Sequence, residues 1–232
     1  LSLHDALPIS VTVHTLKAPW ITWNQREDRG VLAAFGENTR LGEAELEPDG
    51  RWSLTWDDPP PGFYNIVALG RDAEGAVACS NVVRITTGLE NLTRGKKATA
   101  SSAQHPPELA VDADPYTAWW ADKSAPDPQW LQVDLGAQRT VGAVTVLWWK
   151  AYAKDYAILV SADGTNWREA AKVENRVSAG RHSQTWLGDS DVIRFEPTQA
   201  RYVRLLCTKR AVNWHSYVVF DLGVYERIPE QQ

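Results

Sequence analysis

The chain has 232 residues, 44% apolar and 23% charged, with a formal net charge of −5. That length allows one large domain or two ordinary ones, and the apolar share excludes a disordered composition. No apolar run approaches the roughly 20 residues that span a bilayer.

The charge is unevenly spread: residues 1–88 hold 7 basic and 12 acidic residues, whereas 89–232 hold 17 of each. A neutral second half without a Lys/Arg cluster argues against a protein that tracks a phosphate backbone. The sequence contains no Met, which is expected of a piece of a longer product. The opening "LSLHDALPIS" has neither the basic start nor the long apolar stretch of a signal peptide. It resembles a translated sequencing adapter, so the fold reading begins at about residue 10.

Short runs of Val, Ile, Trp, Tyr and Thr, broken by Gly, Pro, Asp and Asn, predict an all-β chain. In the first half, strands are expected near 11–15, 19–24, 31–36, 51–56, 63–70 and 77–86. Turns fall at "EPDG", "DDPPPG" and "DAEG", where Pro fixes φ and Gly accepts a positive one. That many strands in so short a stretch predict a small sandwich. Cys79 and Cys207 lie in separate apolar runs, and two buried thiols are the expectation, with one disulfide as the alternative.

The runs "VLAAFGENTRLGEAEL", "RWSLTW", "GFYNIVALGRDAEG" and "SNVVRIT" resemble the bacterial immunoglobulin-like domains of secreted multidomain enzymes. In that pattern "VLAAFGENTRLGEAEL" is a strand followed by a polar hairpin and Leu41-Gly42. The resemblance implies a spacer over residues 10–88, with Trp20, Trp23, Trp52 and Trp56 as core or sheet-face residues. A boundary is expected at "TTGLENLTRGKKATASS". Asn91-Leu92-Thr93 fits a glycosylation sequon, read as chance in a chain of bacterial character.

In the second half, strands are expected near 97–102, 130–135, 141–149, 156–161, 166–172, 183–187, 192–196, 201–207 and 217–225. "WLQVDLG" alternates cleanly, and "ADGTNW" reads as a hairpin with Asp-Gly at its tip. Strands joined by long loops suggest a jelly-roll sandwich.

"NLTRGKKATASS", "AVDADPYTAWWA", "DPQWLQVDLG", "YAILVSADGTNW", "ARYVRLL" and "VVFDLGVYE" occur in the order and spacing of the discoidin domain. This coagulation-factor type C fold includes the family 32 carbohydrate-binding modules of bacteria. Over residues 91–227 the resemblance implies a jelly-roll β-sandwich that binds ligands through loops at one end and performs no chemistry. It also implies a structural calcium site, with carbonyls of Leu109 and Asp114, the Asp112 carboxylate, and the hydroxyl and carbonyl of Thr117. The Phe220 carbonyl and the Asp221 carboxylate would complete it. Calcium takes six to eight such oxygens. Two departures stand out: Ala113 replaces the usual Gly, and Asp221 replaces a Glu.

If both Trp pairs, Trp119-Trp120 and Trp148-Trp149, are extended, neighbours point to opposite faces and only one Trp of each can enter the same core. Trp119 and Trp148 fall at the family's core positions, so Trp120 and Trp149 are expected at the ligand face. Sugars stack their C–H faces on such rings, with polar side chains fixing the hydroxyls. Two further loops are expected to converge there with Gln104, His105, Arg210, Trp214 and His215, and with Tyr152 from "KAYAK"; Arg210 could equally clamp a loop, and either His could be a solvated loop residue. Relatives that attach to amino-sugar polymers tend to carry a Glu where Trp149 stands, and often an acid where Gln104 stands.

The expected function is therefore a non-catalytic module that holds a secreted polysaccharide-degrading enzyme on a neutral glucan or related polysaccharide. The missing catalytic domain of the same parent chain would be its partner, with no nucleic acid and no membrane span. The alternative is an adhesion module for a protein or lipid surface. No catalytic carboxylate pair, H-E-x-x-H, G-x-S-x-G or P-loop occurs.

Overall fold

A computed structural model describes residues 10–16, 38–80, 83–114, 116–177 and 190–229. Two compact units separate between Gly88 and Leu89. The strands expected at 19–24, 31–36 and 183–187 lie outside the described residues, as do Trp20, Trp23 and residues 1–9.

The first unit is built from β1 (Ser10–Leu16), β2 (Asn38–Glu43), β3 (Glu45–Leu46), β4 (Trp52–Ser53), β5 (Gly62–Arg71), β6 (Val77–Cys79) and β7 (Val83–Thr87). β5 is the spine. β1 lies along one edge and is itself flanked by β2, while β6 and β7 pair in turn along the other edge. The alternation of "SVTVHTL" buries Val11 and Val13 against Ala44 and Ala68. Residues 38–40 of the expected polar hairpin, together with Leu41-Gly42, instead form part of β2, an antiparallel partner of β1. Its polar residues are tolerated because, among the described residues, β2 lies at the edge of the sheet and Thr39, Arg40 and Glu43 are exposed. The expected strand 51–56 shrinks to the two-residue β4, paired only with β3. Among the described residues this is one five-stranded sheet plus a two-stranded ribbon, which does not by itself define the immunoglobulin-like arrangement.

The second unit holds β8 (Lys97–Ala100), a 3-10 turn (Pro107–Ala110), β9 (Trp119–Trp120), β10 (Gln129–Trp148), β11 (Ala153–Ser161), β12 (Arg168–Val173), β13 (Ser190–Arg210) and β14 (Val218–Tyr225). Two pairs of strands expected as separate runs are continuous. β10 and β13 each pass through a register shift and contribute to both layers. The first part of β10 lies between β8 and the end of β13, which continues to β11 and β12. The last part of β10 lies between the start of β13 and β14, which continues to β9. Gly136, at φ 82°, accepts a backbone conformation at the shift that disfavours any other residue.

Between the layers lies one core containing Trp119, Trp148, Tyr156, Leu131, Ile158, Leu205 and Leu222. Two buried polar ends share an acceptor: one oxygen of Asp191 accepts from Trp148 Nε1 at 2.8 Å, Tyr156 O–H at 2.6 Å and Arg176 Nε at 2.6 Å. Burial, with the Asp191 carboxylate alongside, holds the Tyr156 phenol protonated far beyond the ordinary range. Cys207 is a free thiol in this core, and burial raises its pKa. The hairpin at "ADGTNW" joins β11 to β12, with Gly164 at φ 77°. Asp163 accepts from the backbone N–H of Thr165 and Asn166, each at 2.8 Å, which holds its carboxyl well below the usual range.

Candidate functional site: an aromatic rim

β9 and the end of β10 decide the fate of each Trp pair. Trp119 and Trp148 are completely buried, whereas Trp120 and Trp149 are half-buried, as alternation along a strand requires. β9 pairs with the start of β14, and Trp149 N–H donates to the Val218 carbonyl at 3.1 Å, so both outer indoles meet at one end of the sandwich. Their rings stack, 5.7 Å between centroids and 16° between planes.

Three more rings join them. His105 stacks on Trp120 at 4.4 Å and 9°. Trp214 meets Trp149 edge-on at 5.7 Å and 88°. His215 presents an edge to Trp120 at 5.1 Å and to Trp149 at 5.9 Å. Small residues beneath (Ala118, Ala151 and Val218) let the large rings approach. Trp214 is the most open of the three tryptophans, at 47% exposure. His105, expected in the loop beside Gln104, is placed against Trp120 by an antiparallel bridge between the two residues.

The other expected residues divide. The Gln104 side chain is exposed, and its backbone N–H donates to the Trp120 carbonyl at 2.7 Å, fixing the loop beside the rings. Tyr152 is partly buried against the core under the Arg176 guanidinium, 4.4 Å from its ring centroid. Arg210 acts as a loop clamp: it donates to both oxygens of Asp127 at 3.1 Å, to the Lys123 carbonyl at 3.0 Å and to the Ala125 carbonyl at 2.5 Å. The same loop is held from below by buried Gln129, which donates to the carbonyls of Asp122 and Ala125 at 3.2 Å and to Ser216 Oγ at 3.1 Å. Gln129 also accepts from Ser102 Oγ, which joins the 102–105 loop to the network. Nothing in the sequence distinguishes this buried Gln from a solvated one.

Burial holds His215 below the ordinary imidazole value; Lys123, Arg210 and His105 push the same way, and a Ser216 backbone hydrogen bond opposes them. Asp122 is held low by the N–H and hydroxyl of Ser124.

The expected calcium loop also has a defined geometry. Thr117 Oγ1 lies 2.8 Å from Asp112 Oδ2 and 3.2 Å from the carbonyls of Leu109 and Asp114. A hydroxyl has one proton to donate, so three acceptors around it leave oxygen lone pairs converging on one small volume. That is the hard-oxygen set calcium takes. Among the described residues no group of three or more His, Cys, Asp or Glu side chains gathers for a metal. Asp221 faces the Arg94 guanidinium at 2.9 Å, and Phe220 is half-buried beside it.

A two-layer β-sandwich with converging loops and a ring-lined rim has the form of a binding domain. Residues 96–220 match the F5/8 type C domain, and the chain belongs to that family. Chitosan-binding module 1 of a chitosanase/glucanase from Paenibacillus sp. IK-5 is 33% identical, with 59% of this chain and 98% of that one covered and a TM-score of 0.52. Module 2 of the same enzyme, in complex with chitotriose, is 31% identical over 58% of this chain and 99% of that one, TM-score 0.52. A polysaccharide lyase 8 family protein, HylA, from Enterococcus faecalis is 39% identical over 53% of this chain. Neuropilin-2 from Rattus norvegicus is 24% identical over 55%. The matched segments amount to only 9% and 15% of those two relatives. The family and both similar structures are binding domains rather than catalytic ones, so this half of the chain is a binding module. No helix among the described residues is long and apolar enough to cross a membrane.

Proposed function

We propose that the second unit is a carbohydrate-binding module that holds a secreted bacterial polysaccharide-degrading enzyme on its substrate, with residues 10–88 as a spacer. The observation that carries this reading is the rim itself, where Trp120, Trp149 and His105 form a stacked base and Trp214 stands open at its edge. An exposed indole supported edge-on is a surface on which a pyranose C–H face can lie. Similarity to two chitosan-binding modules supports saccharide as the ligand class. The rings of this rim contact one another and His, an apolar stacked surface that suits a neutral sugar. A glucan or a related polysaccharide fits.

Calcium would sit on the oxygens of Leu109, Asp112, Asp114 and Thr117 and act as a structural brace for the loop preceding β9. Phe220 and Asp221 would join it only if Asp221 left Arg94.

Affinity electrophoresis of the whole chain through laminarin, xylan, galactan, soluble cellulose and chitosan tests the reading. Binding of at least one neutral polymer in the micromolar to millimolar range is expected, about −8 to −4 kcal/mol. Trp214→Ala is expected to weaken it about tenfold, as loss of one aromatic contact of about 1.4 kcal/mol would. Unchanged retardation of Trp214→Ala and Trp149→Ala would overturn the site.

A further inference from the structure

Trp214 belongs to more than the rim. Besides meeting Trp149 and His215, it lines a hollow of about 550 Å³ together with Arg210, Ala211, Val212 and Asn213. That volume falls within the roughly 300–1,000 Å³ of small-molecule sites. Among the described residues none of the other rim rings lines it, so the hollow continues the site beyond the stacked base. Its walls are fixed. Arg210 is held to Asp127 and to the carbonyls of Lys123 and Ala125, and the Ala211 N–H donates to the Tyr152 carbonyl at 3.0 Å. Val212 packs on the small cluster of Ala118, Ala151 and Val218 that also carries Trp120 and Trp149. Arg210 is the one charged residue of the described lining, and Asp127 pairs with it. What remains is ring and aliphatic surface beside the exposed Asn213, whose amide has no hydrogen-bond partner among the described residues.

We propose that this hollow is a second sugar subsite: with one pyranose stacked at the rim, the next residue of the same neutral chain lies in the hollow, Trp214 is shared between them, and the Asn213 amide bonds the second sugar's hydroxyls. The inference rests on the reading of the rim as a polysaccharide site and extends it from a single sugar to two neighbouring ones. A carboxamide both donates and accepts, so it meets a hydroxyl in either role. Being uncharged, it matches a sugar that carries neither acid nor amine. Once the first sugar is seated, the second is already beside its subsite, so affinity rises only for ligands long enough to reach both.

The test is a length series, read by NMR titration of the whole chain so that millimolar ligands are measurable. The monosaccharide, disaccharide and tetrasaccharide of each neutral polymer named above (laminarin, xylan, galactan and cellulose) are compared. In a series that binds, the disaccharide is expected to bind about tenfold more tightly than the monosaccharide, with little further gain in the tetrasaccharide. Asn213→Ala, which removes the amide, and Ala211→Leu, which adds bulk to the lining, are each expected to erase most of that gain while leaving the monosaccharide affinity unchanged. The melting temperature and tryptophan emission of the free variants check that they are folded. Equal affinity for the monosaccharide and the longer ligands would overturn the inference and leave the polysaccharide reading standing. A gain with length that survives both substitutions would overturn the assignment to this hollow. Failure to bind any of these ligands or their polymers would overturn both readings.

Discussion

Ala113 has a backbone φ of 73°, in the left-handed region where a Cβ crowds the following carbonyl. It sits between Asp112 and Asp114, whose carboxylates accept from the N–H groups of Asp114 and Tyr116 at 2.9 Å, so the loop geometry imposes the conformation. Ala113→Gly is expected to stabilise the chain by about 1 kcal/mol. Calorimetry should show a rise of roughly 2–4 °C in the transition of the second unit; no rise would mean the loop relaxes around alanine without strain. This position is legible in the amino-acid sequence alone, because alanine stands there against the glycine of the family pattern. The two Trp pairs are legible for the same kind of reason: alternation in an extended segment sends one ring inward and one outward, and the family pattern says which. What alternation cannot supply is the company the outer rings keep. Trp120 and Trp149 cover each other and His105, leaving Trp214 as the open platform, and such tertiary stacking has no local signature.

At the scale of elements, pattern locates nearly every strand of the second unit but cuts β10 and β13 in two. Each break falls at a turn-like sequence, near Gly136 in β10 and near Pro197 in β13, where the chain changes layer without leaving the sheet. Polarity signals the turn, yet continuity depends on partners remote in sequence. β9 escapes the pattern because two residues carry no period; it exists through its register with Val218 and Val219. The loops between these strands are positioned by clamps rather than by their own sequence, and Arg210 is the main one for residues 122–128. Its side chain is only 20% exposed and its four hydrogen bonds all end on that loop. Arg210→Ala removes these and takes the cation away from Asp127, so a loss of about 2 kcal/mol is expected. Hydrogen exchange should place the damage in the 122–128 amides first. Arg210→Lys should not rescue it, because a point ammonium cannot span a carboxylate and two carbonyls at once. Protection equal to the parent chain would show that Gln129 holds the loop alone. The Asp191 hub is the corresponding device in the core. With Arg176 only 6% exposed and three donors on one oxygen, Asp191→Ala is expected to cost about 3–5 kcal/mol, measured by denaturant titration.

For the whole molecule, the question is how a weak, shallow site keeps its shape in changing solvent. Burial lowers the His215 pKa from its ordinary 6.5, so the folded chain takes up that proton less readily than the unfolded chain. The stability linked to His215 is then whole above about pH 6.5 and lost as the pH falls through the lower folded value. Equilibrium unfolding between pH 8 and pH 4.5 should show this as a downward slope starting below about pH 6.5, absent in His215→Gln; a slope of the opposite sign would mean that His215 gains a partner in the folded state. Calcium would act on the same rim from its other side, because the oxygens of Leu109, Asp112, Asp114 and Thr117 precede β9 and so set the position of Trp120. A ligand that binds only the folded chain stabilises it by about 2.7 kcal/mol at a hundredfold excess over its dissociation constant. Removal with chelator should therefore lower the second unit's melting temperature by roughly 5–10 °C, with Asp112→Ala insensitive to the metal. Arg94→Ala separates two roles for Asp221. If Asp221 is simply the partner of Arg94, the variant loses stability with calcium affinity unchanged. If the carboxylate is shared with the ion, removing the competing guanidinium tightens calcium binding.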